Sequence, residues 1–360
     1  MTTFLQATFD GLALGSQYAL IVLGFVVIYR ATGIINFAQG GALLLGAYLT
    51  FNVSTTWGLN YYLGVILSVL LCAGFSVLLQ RTMLQRIFRE SVGIFLGLLA
   101  WAILVFNGTS HLVGLIGGAV ICVLAWWATA RVEARFGDRG PSELPLFGAI
   151  MVTIGVLFVV RQVAASIWGF AELSVEDPWE LSTARLGDLV FLHSKLATIG
   201  MTVLALLVFF LVDRFSRVGI AMRATHFDHE AAIAQGISTK VVFATAFAIA
   251  GGAAALAGVA ATAGPALLTT NVDLIVFFAF PAMILGGLDS PTGAVVGGIL
   301  VGWVQNLVKT YVVAPPSWFP FEDLDWLGAG FERVAIFVVM ILVLMLRPYG
   351  LFGTQEVRRV

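Results

Sequence analysis

Asp228 and Glu230 open the most chemically suggestive stretch of the chain, which runs from Gly219 to Ile237 as GIAMRATHFDHEAAIAQGI. An aspartate at a helix start accepts a hydrogen bond from a backbone N–H of the first turn. A glutamate in that turn is favoured by the helix dipole. Ala231, Ala232 and Ala234 are small helix formers, and Gly236 can end the helix in a left-handed conformation. The pattern predicts a two-turn helix over 229–235 with a small-residue face. Such a face suits seating in a cleft of another protein, and equally an ordinary surface helix in a loop. His226 and His229 stand three apart beside these acids, a spacing that can place two metal ligands on one helix face. No further Cys or His cluster follows nearby, so both read as polar residues around the short helix and no metal site is expected.

A second group of polar residues lies inside apolar runs. Arg161 and Lys309 are the charged members. A charge at the centre of a membrane span costs about 2.5–3.5 kcal/mol on insertion scales, so it faces protein or water. Both stand toward the outer ends of their runs, where a long side chain can snorkel to the interface. For Arg161 a cavity or pairing role stays open beside snorkelling, with the expectation that it meets the carboxylate or amide of a solute. Gln17, Tyr18, Asn36 and Gln39 are neutral hydrogen-bonding groups that suit a conduit from which a solute must also leave. Interhelical hydrogen bonds, averaging about 0.6 kcal/mol each, are the other use for Gln17 and Tyr18. Lys195, Lys240 and Lys309 follow Ser, Thr and Val, so no phosphate-cradling G-x-x-x-x-G-K-[ST] loop occurs, and H-E-x-x-H is also missing. The sequence therefore predicts no catalytic residues, no metal and no ATP hydrolysis by this chain.

The elements that must position these residues are membrane spans. Of 360 residues, 60% are hydrophobic and 11% charged, with a mean hydropathy of +0.99. Soluble domains carry roughly 25% charged residues. This composition excludes a soluble enzyme, a secreted disulfide scaffold, a disordered chain and a nucleic-acid binder. Cys72 and Cys122 lie in apolar runs and read as packing residues. The first ten residues lack Lys and Arg, so the first apolar run reads as a retained span rather than a cleaved leader. Eleven apolar segments follow: 11–29, 34–51, 61–79, 92–106, 111–130, 146–168, 195–212, 241–263, 272–288, 293–313 and 332–346. Their continuous apolar character over helical lengths predicts helices and not strands. The expected fold is an all-α polytopic membrane protein, one transmembrane domain over 1–360. About nine segments form its core, with an inserted hairpin at 92–130 and a cytoplasmic loop at 213–240. The 34–51 and 272–288 segments look discontinuous, broken by Asn36–Gly41 and by Pro281 with Gly286–Gly293. Glycines four apart, such as Gly11/Gly15, Gly114/Gly118, Gly293/Gly297 and Gly298/Gly302, predict close helix approaches.

Charge sets the orientation. Lys and Arg gather at 81–90, 131–145, 213–240 and 347–360, while acids gather at 169–194 and 314–331. With basic stretches cytoplasmic, eleven segments put all basic stretches on one side and both acidic loops on the other. The N-terminus is then outside and the C-terminus inside.

Glu230-Ala231-Ala232, three residues, then Gly236 resembles the EAA---G loop of ABC importer permeases, which contacts the ATPase subunits. The resemblance extends to Gly11–Leu20, to Ile35-Asn36-Phe37-Ala38 with Gly40, and to Leu45–Tyr48. Thr153-Ile154-Gly155, Leu285-Gly286-Gly287 and the ending Arg347–Gly353 continue it. Over about 300 residues, 1–90 and 145–353, the chain is similar to the branched-chain amino acid ABC transporter permease family. It departs from that family where Gln39-Gly40-Gly41 replaces His with Gly-Glu, where Arg161 replaces a frequent Gln, and in the 92–140 region. The resemblance implies a permease subunit in the inner membrane, with alternating access driven through the 229–236 helix. It implies a second homologous permease, two cytoplasmic ATPase subunits that bind ATP and Mg, and a periplasmic or lipid-anchored solute-binding protein. Asp228, Glu230, Ala231, Ala232 and Gly236 become the ATPase-coupling residues, and Gln17, Tyr18, Asn36, Gln39 and Arg161 the candidate pathway. Branched-chain amino acids are the implied solutes, with urea, short amides or aromatic acids as alternatives. An ion-coupled secondary transporter fits less well, because the acids Asp10, Asp273 and Asp289 fall at segment ends.

Overall fold

The computed structural model of the chain describes residues 2–83, 120, 146–179, 182–315 and 330–353. Its helices in chain order are α1 (Thr2–Thr32), α2 (Gln39–Phe51), α3 (Tyr61–Met83), α4 (Leu146–Trp168), α5 (His193–Phe215), α6 (Arg217–Phe227), α7 (His229–Ala234), α8 (Thr239–Ala261), α9 (Ile275–Gly286), α10 (Pro291–Val308) and α11 (Phe331–Leu346). Short π turns continue α2 over Asn52–Thr56 and α10 over Lys309–Val313, and a 3-10 turn, Val272–Leu274, leads into α9. Each expected segment outside 92–130 coincides with a helix. The hairpin at 92–130, apart from Val120, lies outside the described residues, as do Cys122 and the Gly114/Gly118 pair. Among the described residues, six helices, α1, α3, α4, α5, α8 and α10 with its π turn, are long and apolar enough to cross a bilayer.

Helix α1 is the central post. It is 31 residues long, and its stretch from Tyr18 to Ile28 is buried without interruption. It packs against α10, α8, α5 and α9. The spaced glycines explain how α10 comes so near. A Cβ added at Gly11 would stand 2.8 Å from the Trp303 Cα, and one at Gly15 would stand 2.6 Å from the Ile299 Cα. From the other side, Gly298 faces Ala19 and Gly302 faces Gly15. The two four-residue glycine spacings on α1 and α10 are thus the two halves of one seam. Gly297 meets α9 at Ala282 and Gly286, which folds α9 and α10 into a tight pair. On α8, Gly251 meets Cys72 and Ser76 of α3, and Gly258 meets Leu43 of α2. Without a hydrophobic force between helices in lipid, such close backbone approach supplies dispersion contacts. Outward faces stay apolar and exposed, as at Leu70 and Leu78 of α3 and Leu204, Leu207 and Leu211 of α5.

One element departs from the sequence expectation. The acidic 169–194 stretch contains a β-hairpin, strand β1 (Thr183–Leu186) paired antiparallel with β2 (Leu189–Leu192). Gly187, at φ 63°, turns the chain between them. A Gly-Asp dipeptide, Gly187-Asp188, between two short segments is a hairpin signal. The hairpin and the start of α5 hold the start of α1: Gln6 Nε2 donates to the Val190 carbonyl at 2.9 Å, and Lys195 Nζ of α5 reaches Asp10 Oδ1 at 2.7 Å.

Candidate functional site

The 213–240 stretch is built by local capping. Ser216 ends α5, and its Oγ accepts from Gly219 N at 3.0 Å to start α6. Asp228 then closes α6 and starts α7. Its backbone is extended, with φ −156°, and its Oδ1 accepts from Ala231 N at 2.9 Å. Gly236 takes φ 81° and donates to the Ile233 carbonyl at 2.9 Å, while Ile237 N donates to the Ala232 carbonyl at 3.0 Å. These bonds end α7 after six residues, one short of the expected 229–235. Ala232 packs inward, whereas Glu230, Ala231, Ile233, Ala234 and Gln235 are exposed. Phe227 is 85% exposed beside them, an apolar side chain that sequence reasoning passed over. Removing the cap by Asp228→Ala is expected to cost about 1 kcal/mol of local stability. Hydrogen exchange at the Ala231 amide, expected to speed up by roughly fivefold, checks this.

Helix α6 is tied to the end of α1. Arg223 Nη1 approaches Asp213 Oδ2 at 3.2 Å and also donates to the Asp213 backbone carbonyl, and Arg30 Nη1 stands 3.9 Å from Asp213 Oδ1. His226 Nδ1 is 3.2 Å from the Arg30 carbonyl oxygen. His226 of α6 thus meets the end of α1, and Arg223 and Arg30 meet on Asp213 of α5.

The second cluster surrounds the break between α1 and α2. Asn36 Oδ1 accepts from Ala38 N at 3.1 Å, and Phe37 N donates to Thr153 Oγ1 of α4 at 3.2 Å. The Phe37 ring stacks on Phe277 at 5.6 Å and touches Phe25 and Phe280. Gln39 Nε2 donates to the Ile21 carbonyl at 2.8 Å, while its Oε1 is buried without a partner among the described residues. The Tyr48 hydroxyl is likewise buried and unpaired, its ring stacked on Trp168.

Arg161 is paired. Its Nε donates to Asp273 Oδ2 at 2.8 Å and its Nη2 to Oδ1 at 2.5 Å, a two-pronged bridge. The Asp273 side chain is 0% exposed and that of Arg161 21%. The sequence reading puts Asp273 at a segment end, and it stands there, in the 3-10 turn Val272–Leu274 that leads into α9; that turn brings its carbonyl against Gly40 at the start of α2. Two other pathway candidates join helices. The Tyr18 hydroxyl donates to Gln305 Oε1 at 2.6 Å, and Gln17 Nε2 donates to the Ala260 carbonyl at 3.0 Å. Asn36, Gln39 and Arg161 thus gather around the break, whereas Gln17 and Tyr18 clasp α1 to α8 and α10. Lys309 is exposed at the start of its π turn.

Bilayer-length helices around a glycine seam, a polar backbone break with a buried ion pair, and a capped helix exposed at one end define a multi-pass membrane protein of the permease class. The comparisons with known proteins name the family. Residues 7–346 match the family model described as branched-chain amino acid transport system / permease component, and the chain belongs to that family. It is a multi-pass protein of the inner membrane. Among its relatives, the high-affinity branched-chain amino acid transport system permease protein LivH of Salmonella typhimurium is 26% identical over 99% of this chain and 98% of its own. The corresponding protein BraD of Pseudomonas aeruginosa is also 26% identical, over 99% and 98%. A probable branched-chain amino acid transport permease protein LivH of Methanocaldococcus jannaschii is 23% identical over 93% and 88%. The solved structure of PsaBC from Streptococcus pneumoniae in complex with Fab aligns over 92% of this chain and 89% of its own at 11% identity, with a TM-score of 0.30. That score is below the level at which a shared fold follows.

Proposed function

We propose that this chain is the membrane subunit of an ATP-driven importer of branched-chain amino acids or related small polar solutes. Separate ATPase subunits, carrying ATP and Mg, dock on α7. A second homologous permease completes the pathway, and a solute-binding protein delivers cargo from outside. The single observation that carries this reading is the capped, exposed α7 between the two long spans α5 and α8. The sidedness of charge supports the orientation. Arg30, Arg214, Arg217, Arg223, Lys240 and Arg347 belong to helix ends around α6 and α7, and Glu172, Glu176, Asp177 and Asp188 to the connection between α4 and α5. Basic ends are cytoplasmic, which puts α7 inside and the N-terminus outside. α3 finishes and α4 starts at this same basic end, which suits an inserted pair of spans at 92–130.

ATP-driven closure of the ATPases pushes α7. Asp228 passes the push to α6, because one residue ends the first helix and caps the second. The Arg30–Asp213–Arg223 cluster passes it to α1. At the outer half, the Arg161–Asp273 bridge holds α4 against the start of α9 and acts as the outer closure.

Gly236→Leu tests the coupling role. A side chain in the left-handed conformation costs about 1–2 kcal/mol, and nothing lies within 4 Å of a Cβ at this position, so the protein should still reach the membrane. In proteoliposomes with the full importer, uptake should fall about tenfold or more, the equivalent of ~1.4 kcal/mol in transport efficiency, while basal ATP hydrolysis continues. An unchanged ratio of solute imported to ATP hydrolysed would falsify the assignment.

A further inference from the structure

A deep apolar groove runs between α3 and α5, with α8 as its floor. α3 packs on α8 and α2, α5 packs mainly on α1, and the space left between the two is the groove. Small residues keep it open. A Cβ added at Gly252 on the floor would meet only Val69 Cγ1, at 3.4 Å, and one at Gly200 on the α5 wall would meet nothing within 4 Å. The groove holds about 790 Å³ and follows α5 from Ala197 to Val212, a rise of about 22 Å. That is longer than the roughly 15 Å of half a bilayer's hydrocarbon core. It shares no residue with the break around Asn36, with the Arg161–Asp273 pair, or with α6 and α7.

Its dimensions and walls choose the occupant. That volume over that length gives a mean cross-section of about 36 Å². A helix with its side chains is about 10–12 Å across, or roughly 80 Å² and more in section, so the groove is too narrow for one and suits acyl chains. Water does not suit it. An ordered water needs 2–4 polar partners, and beyond the aromatic end every lining side chain is apolar. At that end, nearest the connection from α4 to α5, Tyr61, Tyr62 and Trp179 form a mouth. Trp179 stands edge-on to both rings, at 5.3 Å from Tyr61 and 6.4 Å from Tyr62. Such rings sit at the level of lipid head groups. Tyr61 is 7% exposed, and its hydroxyl is buried with no hydrogen-bond partner among the described residues. A buried donor left unmade costs about 1–3 kcal/mol until an acceptor arrives. Tyr61 also lines a second cavity, of about 760 Å³, whose walls include Ser174, Glu176 and Asp177. Asp177 is engaged there, accepting from Trp179 N at 3.2 Å and Gly264 N at 2.5 Å. Glu176 is exposed and forms no ion pair among the described residues.

We infer that the groove and the cavity beyond its mouth are one binding site for a phospholipid with a primary ammonium head, phosphatidylethanolamine. Its acyl chains lie along α3, α5 and α8. An ester or phosphate oxygen accepts from the Tyr61 hydroxyl at the mouth, and the ammonium donates to Glu176 outside it. The head group follows from charge. An anionic phosphatidylglycerol would bring a net negative charge against Glu176 and Asp177. The quaternary ammonium of phosphatidylcholine has no N–H to donate, whereas a primary ammonium makes the charge-assisted bond. Neither the solute nor the ATPase subunits enter this inference, so it stands whatever cargo the chain carries.

The test has two arms. In the first, the purified full-length protein with its partner subunits is titrated in detergent with phosphatidylethanolamine, phosphatidylcholine or phosphatidylglycerol of identical acyl chains, and bound lipids are counted by native mass spectrometry. The wild type should hold phosphatidylethanolamine most tightly. Gly252→Leu, which raises the floor, should remove one tight lipid per copy of this chain. Tyr61→Phe keeps the ring and should weaken all three lipids about tenfold. Glu176→Gln should weaken phosphatidylethanolamine about threefold and leave phosphatidylglycerol no weaker. The last two variants decide alone where Gly252→Leu yields no folded protein. In the second arm, Leu204 on the α5 wall is replaced by photoreactive p-benzoylphenylalanine and irradiated in the native membrane, where it should attach to lipid. Unchanged lipid affinity in both Tyr61→Phe and Glu176→Gln overturns the site. So does a wild type that binds phosphatidylglycerol or phosphatidylcholine as tightly as phosphatidylethanolamine. A cross-link from position 204 to a second protein chain makes the groove a protein interface and overturns it as well.

Discussion

Gly15→Val is expected to remove nearly all folded protein from the membrane. A Cβ at this position would stand 2.6 Å from the Ile299 Cα and 2.8 Å from its carbonyl oxygen, both backbone atoms that no rotamer change can move. Gly302 lies directly opposite, so there is no side chain on α10 to shrink in compensation. The helices must part, and parting them also separates Gly11 from Trp303 and Ala19 from Gly298. Overpacking an interior costs about 1–3 kcal/mol and occasionally more. Here the upper end applies, because one displacement unseats several contacts of the central helix. Against a total stability of about 5–15 kcal/mol, that loss also opens the Tyr18–Gln305 hydrogen bond and the hold of Asn306 Nδ2 on the Ala7 carbonyl. Gly200→Val is the control. Nothing lies within 4 Å of a Cβ there, and α5 faces outward over much of its length. Detergent-extracted yield and thermal midpoint should collapse for Gly15→Val and stay near wild type for Gly200→Val. Equal yields for the two would mean that the α1–α10 seam does not hold the fold.

Which features were legible in the sequence follows from how far apart the interacting residues stand. Helix α7 was readable because capping is local: Asp228 reaches Ala231, and Gly236 closes back on Ile233. The long apolar runs were readable because a span must satisfy its backbone within itself. The glycine spacings announced close approach but not the partner. Only the structure joins Gly11 and Gly15 to Gly298 and Gly302, across nearly the whole chain. The pathway candidates divide for the same reason. Polarity in an apolar run marked Gln17, Tyr18, Asn36, Gln39 and Arg161 alike. Yet Tyr18 binds Gln305, 287 residues away, and Gln17 binds Ala260, 243 away. Their polarity serves helix association, while Asn36 shapes the break. Asp273 stands at the segment end where the sequence put it, but its pairing with Arg161 was not legible, because the partner lies 112 residues earlier. One signal was available. A lone arginine and a lone acid, each bordered by long apolar stretches, are cheaper in lipid as a pair than apart.

The second large effect is expected at that pair, and it is asymmetric. Breaking a buried pair by removing one partner costs about 3–5 kcal/mol, because an uncompensated charge is left behind. Arg161→Gln leaves Asp273, whose side chain is 0% exposed, facing no cation. Asp273→Asn leaves Arg161, 21% exposed and lying over the Phe158 ring at 5.6 Å, with a long stem that can carry its charge toward the interface. Arg161→Gln should therefore cost more stability than Asp273→Asn, and the double variant should recover much of the loss, since two neutral amides can hydrogen-bond in the same place. Thermal midpoints of the three proteins check this order. Transport separates a gate from a staple. If the bridge only fastens α4 to the start of α9, the double variant regains uptake along with stability. If the bridge is the outer closure, a neutral amide pair closes too weakly. The double variant then folds, yet hydrolyses ATP without binding-protein stimulation and imports solute at about a tenth of the wild-type rate or less, as the loss of ~1.4 kcal/mol or more from the closed state requires. Full recovery of stimulated uptake in the double variant would leave Arg161 and Asp273 with a fastening role alone.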